Sequence, residues 1–244
     1  MGTYFSFQYM VQALPDLLSY LDVTVVLTVI SETAALVLGC LAAMLRVRKV
    51  KILKSLCAVY ISFIRGTPFL VQLYLICFGL PRVMEAAGAR DMRAVPVLLF
   101  VFLVMTLHSG AYIAEILRGA IESIDRGQLE ACCSIGMTTF QAYRRIILPQ
   151  AFKLAIPALS NEVISTLKNT SLVFNVGVVD MMSKAELMAS YSYRSLELYL
   201  DVGLIYIVLC FICYGISAFI EKGSQTANPE KSLQAKRNAT VTVE

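Results

Sequence analysis

The sequence has little charge for its length of 244 residues. Charged residues make up 16% of the chain and hydrophobic residues 58%, whereas a soluble globular protein has about 25% and about 45–50%. The mean hydropathy is +0.71, and so few polar groups cannot cover so large an apolar mass. This composition excludes a disordered chain and argues strongly against a soluble one. We therefore expect an integral membrane protein.

Several kinds of functional residue are also scarce or absent. There is one histidine, and the seven cysteines are an odd number, so the sequence predicts neither a metal site nor a closed disulfide framework. A Gly-x4-Gly-Lys-Ser/Thr phosphate loop is absent from the sequence, which excludes ATP hydrolysis by that route. The net charge of +4 is too small to suggest a nucleic acid as partner. We predict no catalytic residue and no cofactor in this chain.

Long apolar runs predict an all-α protein with five transmembrane helices, because a helix needs about 20 mostly apolar residues to cross the bilayer. The runs are 23–45, 56–80, 95–117, 156–179 and 198–220. The fourth run holds nine polar or charged residues between Ser160 and Ser171. We expect it to be buried among other helices or to line a cavity, because lipid cannot satisfy such side chains.

The basic residues outside these runs predict the orientation, because cytoplasmic loops carry an excess of them. Fourteen lie on the side of the first connection, the third connection and the C-terminus, and five lie on the other side. The N-terminus is therefore expected outside the cell and the C-terminus in the cytoplasm. We expect residues 1–221 to form one multi-pass domain in the cell membrane, beginning with an amphipathic lead-in at the outer surface. Residues 222–244 are predicted to form a flexible cytoplasmic tail.

The third connection, about residues 124–149, has a distinctive pattern. It predicts a short helix, a turn at Gly136 and a second amphipathic helix with apolar residues at helical spacing (Phe140, Tyr143, Ile146 and Ile147). Pro149 suits the first turn of the helix that follows. Such a compact knob suits either insertion into a groove of another protein or packing on its own spans, and the spacing alone leaves both open.

This loop resembles the EAA loop of ABC importer permeases, in which Glu-Ala-Ala, Gly and Ile-x-Leu-Pro recur at fixed spacing. The matching positions are Glu130, Ala131, Cys132, Gly136 and Pro149, with Cys132 in place of the second alanine. The resemblance covers residues 23–221 and includes further motifs: Arg65-Gly66-Thr67-Pro68 with Gln72, and the segments 109–115, 118–121, 144–151 and 168–172. Together these motifs are similar to the histidine, glutamine and cystine branch of polar amino-acid permeases.

The resemblance implies a type I ABC importer permease with a five-helix core. It also implies a second permease subunit, of the same or a different chain, and two cytoplasmic ATPases that carry ATP and magnesium. An extracellular binding protein would deliver a small amino-acid substrate. The loop around Glu130 and Gly136 would transmit closure of the ATPases to the spans.

Two polar segments within the spans are predicted to hold the substrate. Pro68 cannot donate a backbone hydrogen bond and leaves a carbonyl near Ile64 free, and a broken helix at mid-membrane presents backbone dipoles to a small zwitterion. The alternative is a structural polar cluster that locks the spans together. The expected site residues are Ser62, Arg65, Gly66, Thr67, Gln72, His108, Glu162, Lys168, Asn169, Thr170 and Ser171.

Ser62 bears on the substrate class, and His108 and Asn169 depart from the family pattern. Several relatives have Glu where this chain has Ser62, and a Glu there would suit a cationic substrate. The neutral Ser62 resembles the cystine-type permeases, so we expect cystine or another polar, uncharged amino acid. His108 stands where relatives commonly carry Asn, and Asn169 stands where they usually carry Asp.

The other ionisable residues in the spans leave alternatives open. Glu115 is predicted to pair with Arg118, one turn later on the same helix, and Glu162 to face either the cavity or the partner permease. Such groups also suit an ion-gradient-driven secondary amino-acid transporter, although five spans without a visible inverted repeat do not. A membrane-embedded enzyme would need a catalytic constellation, for which a single histidine with no Ser, Asp or metal ligand beside it gives little support.

Overall fold

The computed structural model describes residues 5–47, 51–88 and 92–225, and within these ranges every regular element is helical. The α-helices of the described ranges are α1 (Phe7–Leu18), α2 (Leu21–Val47), α3 (Lys51–Gly66), α4 (Phe69–Tyr74), α5 (Leu80–Ala86), α6 (Val97–Glu122), α7 (Arg126–Ser134), α8 (Thr139–Ala142), α9 (Leu148–Asn169), α10 (Met181–Ser192) and α11 (Ser195–Gln225). Two π-helical turns (Leu75–Gly79 and Tyr143–Ile147) and two 3-10 turns (Met92–Ala94 and Thr170–Val176) complete them. The all-helical prediction is confirmed.

Four helical segments of the described ranges are long and apolar enough to cross a membrane. They are Leu21–Arg46, Phe69–Ala86, Val97–Glu122 and Ser195–Gly223. Three of them contain most of the predicted spans 23–45, 95–117 and 198–220, so these spans are confirmed as long apolar helices. The last helix continues to Gln225 and so includes the first four residues of the predicted tail 222–244. Residues 226–244 lie outside the described residues, and the flexible tail stays a prediction. Arg48, Lys49 and Arg90, which contribute to the predicted orientation, lie outside them as well.

The predicted span 56–80 is broken at Gly66–Pro68, as the sequence predicts, but its long apolar stretch has different bounds. α3 ends at Gly66 and α4 begins at Phe69, because Pro68 has no N–H to continue the hydrogen-bond ladder and holds an extended ψ of 141°. The stretch that is apolar and long enough runs instead from Phe69 to Ala86, through α4, a π turn and α5.

The predicted span 156–179 also has different bounds. α9 begins earlier, at Leu148, and ends at Asn169, where the chain tightens into a 3-10 turn. That turn ends at Gly177, whose φ of +86° is the left-handed conformation that favours glycine. α9 packs against α6 and α11. It is not among the four apolar segments, in keeping with its polar residues.

The pair α2 and α6 forms the centre of the bundle, because glycines let their backbones come close. A Cβ atom built on Gly39 would lie 2.5 Å from Cγ2 of Ile113, and one on Gly110 would lie 2.9 Å from Cδ2 of Leu38. Small residues at a crossing allow such an approach between membrane helices. This close packing fixes the position of α2 along α6, and with it the side chains that form hydrogen bonds between the two helices.

The amphipathic α1 packs at one end of the bundle against α10 and α11. Ala13 and Leu17 of α1 share a buried cluster with Met181 and Leu198. The N–H of Ser6 donates to Oε1 of Glu197 over 3.1 Å, which fixes the start of α1 on α11. The predicted amphipathic lead-in is thus an ordered helix.

Candidate functional site

At the helix break at Pro68, a side chain satisfies the backbone carbonyls that lack a helical partner. Nε2 of Gln72 donates to the carbonyl of Ile64 over 2.7 Å and to the carbonyl of Thr67 over 2.9 Å. The sequence predicted a free carbonyl near Ile64, and the structure corrects this, because the amide of Gln72 replaces the N–H that Pro68 lacks. Gly66 is exposed and Thr67 is half-buried at the break.

Gln72 also fixes the orientation of His108 on the facing helix α6. Because the amide nitrogen donates to carbonyls, Oε1 of Gln72 is the atom that lies 2.9 Å from Nδ1 of His108. The proton of a neutral imidazole therefore sits on Nδ1. The ring of His108 packs edge-on against Phe69, at 4.9 Å between centroids, and lies 5.0 Å from the ring of Tyr112.

Arg65, the last charged residue of α3, belongs to a cluster of ion pairs. Its Nη1 lies 3.9 Å from Oε1 of Glu115, and its guanidinium lies 5.5 Å from the centre of the Tyr112 ring. Glu115 also accepts from Arg46 and from Arg118, and Arg118 pairs in turn with Glu122. The predicted Glu115–Arg118 pair is confirmed, and the structure adds two further arginines to it.

A second polar cluster lies deeper in the bundle and joins α2, α6 and α9. The hydroxyl of Ser109 lies 2.7 Å from Oε1 of Glu32 and 3.1 Å from Oε1 of Glu162. The hydroxyl of Thr166 donates to Ser109 over 3.2 Å. Glu162 is 8% exposed, so the structure places its carboxylate inside the chain.

The remaining predicted site residues lie near the end of α9 or on α3. Thr170 is fully buried, and its hydroxyl bonds to the Leu167 carbonyl and to the Tyr206 hydroxyl. Ser171 donates to the carbonyl of Lys168 over 2.7 Å. Lys168 and Ser62 are exposed and Asn169 is half-buried. Across the described ranges, no hydrogen bond joins residues 168–171 to residues 65–67.

The predicted knob between α6 and α9 is confirmed as a local structure. α7 carries the exposed Glu130 and Ala131 and the buried Cys132, and the chain then turns at Gly136 with a φ of +82°. α8 begins with a reciprocal capping box between Thr138 and Gln141.

The knob is fixed to the bundle at one side and exposed at the other. Nε2 of Gln150 donates to Oε1 of Gln128 over 2.8 Å, which ties α7 to α9. Pro149 lies in the first turn of α9, as predicted. On the exposed side, Ile135 is 78% exposed and Phe140 is 66% exposed.

Sequence reasoning missed the Glu32–Ser109–Glu162 cluster and the bond from Arg46 to Glu115. A signal for the first existed, because Glu162 and Thr166 are four residues apart and share one face of a helix. Within the part of the chain that the structure describes, no three His, Cys, Asp or Glu side chains lie close enough together to hold a metal ion.

Comparisons with known proteins agree with this architecture. Residues 35–225 match the family described as binding-protein-dependent transport system inner membrane component. The probable amino-acid ABC transporter permease protein PatM of Vibrio harveyi is 46% identical over 202 residues, which are 83% of this chain and 88% of that protein. The L-cystine transport system permease protein TcyL of Bacillus subtilis strain 168 is 38% identical over 231 residues, covering 94% and 92%.

Solved structures give the same fold. The crystal structure of an amino acid ABC transporter with histidines contains a chain with 34% identity and a TM-score of 0.81, over 91% of this chain and 99% of that one. An inward-facing structure of the MetNI methionine ABC transporter has 17% identity and a TM-score of 0.68, over 90% and 99%. The second likeness concerns the fold alone.

A bundle of apolar helices with a helix break and an exposed two-helix loop defines a multi-pass membrane permease. The chain belongs to the family of binding-protein-dependent transport system inner membrane components, and the resemblance to amino-acid ABC importer permeases is confirmed. Membership of this family implies a partner permease and ATPase subunits. The relatives are permease subunits and not enzymes.

Proposed function

We propose that this chain is the permease subunit of an ATP-driven importer for polar, uncharged amino acids, with cystine as the leading substrate. The names of the relatives support the class, because PatM is called an amino-acid permease and TcyL an L-cystine permease. The neutral, exposed Ser62 on α3 supports an uncharged substrate side chain.

The observation that carries this proposal is the charge balance beside the helix break. Three guanidinium groups (Arg46, Arg65 and Arg118) share two carboxylates (Glu115 and Glu122). The side chain of Arg65 is 44% exposed and has the longest contact in the cluster. The surplus positive charge therefore resides on Arg65, where a substrate carboxylate can form charge-assisted hydrogen bonds.

The other end of the substrate would lie toward the start of the 3-10 turn. Thr170 is engaged inside the chain, so we do not assign it a substrate contact. Lys168, Asn169 and Ser171 remain accessible to different degrees, and we propose that they line a cavity shared with the second permease subunit. Gln72 and His108 would hold the break in shape without touching the substrate.

We propose that α9 is the fifth span, with the N-terminus outside and the C-terminus in the cytoplasm. The polar α9 can cross the bilayer because Glu162 and Thr166 bond to α6 rather than face lipid. This topology puts the knob on the cytoplasmic side, where Ile135 and Phe140 would dock into an ATPase subunit. An impermeant thiol reagent should then label a cysteine at Tyr193 in intact cells, and one at Gln128 only after the cells are opened.

The energy source and the role of the knob can be tested together. The chain, reconstituted in vesicles with its partner ATPases and binding protein, should take up substrate only when ATP is supplied. Gly136→Pro should abolish uptake while the complex still inserts, because it removes the left-handed turn between α7 and α8. Gly88→Pro is the matched control, since Gly88 has a similar φ of +92° but lies after α5, outside the knob. Uptake driven by an ion gradient alone would refute the proposal.

A further inference from the structure

The side chain of Arg65 has only long contacts of its own. Its Nη1 lies 3.9 Å from Glu115, and its guanidinium lies 5.5 Å from the centre of the Tyr112 ring. Gly66 follows directly, and a Cβ atom built on it would meet no atom of the described residues within 4 Å. A long side chain beside such a glycine samples many conformations unless other groups restrict it. The position of Arg65 therefore depends on its neighbours.

Gln72 holds the backbone on both sides of Arg65. Its Nε2 donates over 2.7 Å to the carbonyl of Ile64, which belongs to the same peptide unit as the N–H of Arg65. It also donates over 2.9 Å to the carbonyl of Thr67, two residues after Arg65. The hydroxyl of Thr67 lies 2.8 Å from the same nitrogen and donates in turn to the carbonyl of Phe63. One amide thus joins the last turn of α3 to the residues of the break.

Gln72 also acts on the side chain of Arg65, through two rings on α6. Oε1 of Gln72 lies 2.9 Å from Nδ1 of His108 and accepts its proton. The ring of His108 lies 5.0 Å from the ring of Tyr112, one turn later on α6. The guanidinium of Arg65 stands over that second ring, where the quadrupole of the ring attracts a cation. The amide of Gln72 therefore supports both the backbone and the charged end of Arg65.

Burial divides the work between the two residues. Gln72 is 2% exposed, and its amide nitrogen is directed at oxygen atoms of the break, so a substrate does not reach it. The side chain of Arg65 is 44% exposed. We infer that Gln72 is a positioning residue, which holds Arg65 in place for the carboxylate of the substrate. This role rests on the proposed contact between Arg65 and that carboxylate. A group that is already held in its bound conformation binds more tightly, because the ligand does not have to order it.

Substrates with blocked carboxylates test this role on the complete complex, purified with its co-expressed partners. Equilibrium binding would be measured for L-cystine and L-glutamine and for their methyl esters. The dissociation constant of an ester divided by that of its acid reports recognition of the carboxylate. This ratio should be about ten to a hundred in the unchanged protein, because the ester loses a charge-assisted contact. Gln72→Met, which keeps the size of the side chain, should lower the ratio to about three or less.

The ratio separates positioning from a general loss of stability, because an acid and its ester meet the same folded fraction of the protein. Gln150→Met is the matched control. Nε2 of Gln150 also donates to a backbone carbonyl, that of Ile146, and to another side chain, but it lies in the knob. Gln150→Met should leave the ratio unchanged. His108→Leu removes the link to α6 and keeps the two carbonyl contacts, so it should lower the ratio only a few-fold.

Arg65→Ala distinguishes a failure of this role from a failure of the proposed function. If Arg65→Ala brings the ratio to about one and Gln72→Met leaves it at its full value, Arg65 contacts the carboxylate but Gln72 does not position it. If Arg65→Ala leaves the ratio at its full value, or if the ratio is near one in the unchanged protein, the proposed contact fails and the role of Gln72 fails with it. Should Gln72→Met not fold, an unchanged ratio in His108→Leu would refute the role instead.

Discussion

Two polar clusters on the same helix, α6, differ in charge and in exposure. The cluster around Glu115 has a surplus of arginine, and Arg65 in it is 44% exposed. The cluster around Ser109, six residues and about 9 Å earlier on α6, joins the buried Ser109 and Glu162 to the half-buried Glu32. In the Glu115 cluster, Arg65 could replace its contact with Glu115 by a contact with a ligand. In the Ser109 cluster, the side chains bond to one another.

Under the proposed function, the first cluster would bind the substrate and the second would hold the helices together. A half-exposed cation with one long contact loses little when a substrate replaces that contact. Two carboxylates that lie beside one hydroxyl, as those of Glu32 and Glu162 do, repel each other, and hydrogen bonds between helices offset that repulsion. We therefore expect the charge of Arg65 to matter for transport, and the shape of Glu162 to matter more than its charge.

The largest expected effect follows from removal of the surplus cation. Arg65→Ala should lower uptake about ten- to a hundredfold, because a charge-assisted contact to the substrate carboxylate is lost. Uptake by the purified and reconstituted complex would measure this. Lys184→Ala is the control, since Lys184 is a cation on α10, outside this cluster. Normal transport by Arg65→Ala would leave the Glu115 cluster with only a structural role.

The next effect concerns the stability of the same cluster. Glu115→Gln should lower the free energy of unfolding by about 1.5–3 kcal/mol, because Arg46 and Arg118 both lose a charged acceptor. Glu122→Gln provides the comparison, since the side chain of Glu122 is 62% exposed and has one pair, and such a pair contributes about 0–1 kcal/mol. Thermal unfolding in detergent would rank the stabilities of the two variants. If both variants lost the same stability, Glu115 would not be the centre of the ion-pair cluster.

A smaller effect is expected from the buried cluster. Glu162→Gln keeps an acceptor for Ser109 and removes the repulsion from Glu32, so the free energy of unfolding should change by less than about 1 kcal/mol. Glu162→Ala leaves polar groups unpaired and should cost about 1–3 kcal/mol. If the two variants were equally unstable, the charge of Glu162 would be required and the comparison between the clusters would fail.

The smallest effect is expected from a charge added near Arg65. Ser62→Glu places a carboxylate one turn before Arg65 on the exposed side of α3. The affinity for arginine as a competitor should rise only a few-fold, because an exposed pair contributes about 0.2–1 kcal/mol. Competition of cystine, glutamine, arginine and glutamate for uptake would show the change, with Ser62→Gln as the uncharged control. An unchanged ranking would remove Ser62 from the pocket.

The sequence predicted those parts of the fold that depend on local patterns. Apolar runs located α2, α6 and α11, and the Gly136 turn and Pro149 defined the knob. The pair Glu115–Arg118 was predictable because its members are three residues apart. Pro68 predicted a broken helix, but the apolar run across it hid the fact that the long helix starts after the break.

The parts that were missed depend on contacts between distant residues. Arg46 and Glu115 are 69 positions apart, and Ser109 and Glu32 are 77 apart. Such pairs follow from the close packing of α2 on α6, which no local periodicity reveals. The role of Gln72 was within reach, because an amide a few residues beyond a proline is well placed to replace the missing N–H.

The π turn between α8 and α9 has a consequence for the phase of the helix. From Thr139 to Asn169 the chain is helical without interruption, through α8, Tyr143–Ile147 and α9, over about 45 Å of helical rise. A π turn inserts one residue into the winding, which rotates every later side chain by about 100° relative to the earlier ones. Deletion of a single residue there would turn Glu162 and Thr166 away from Ser109 while Phe140 kept its place.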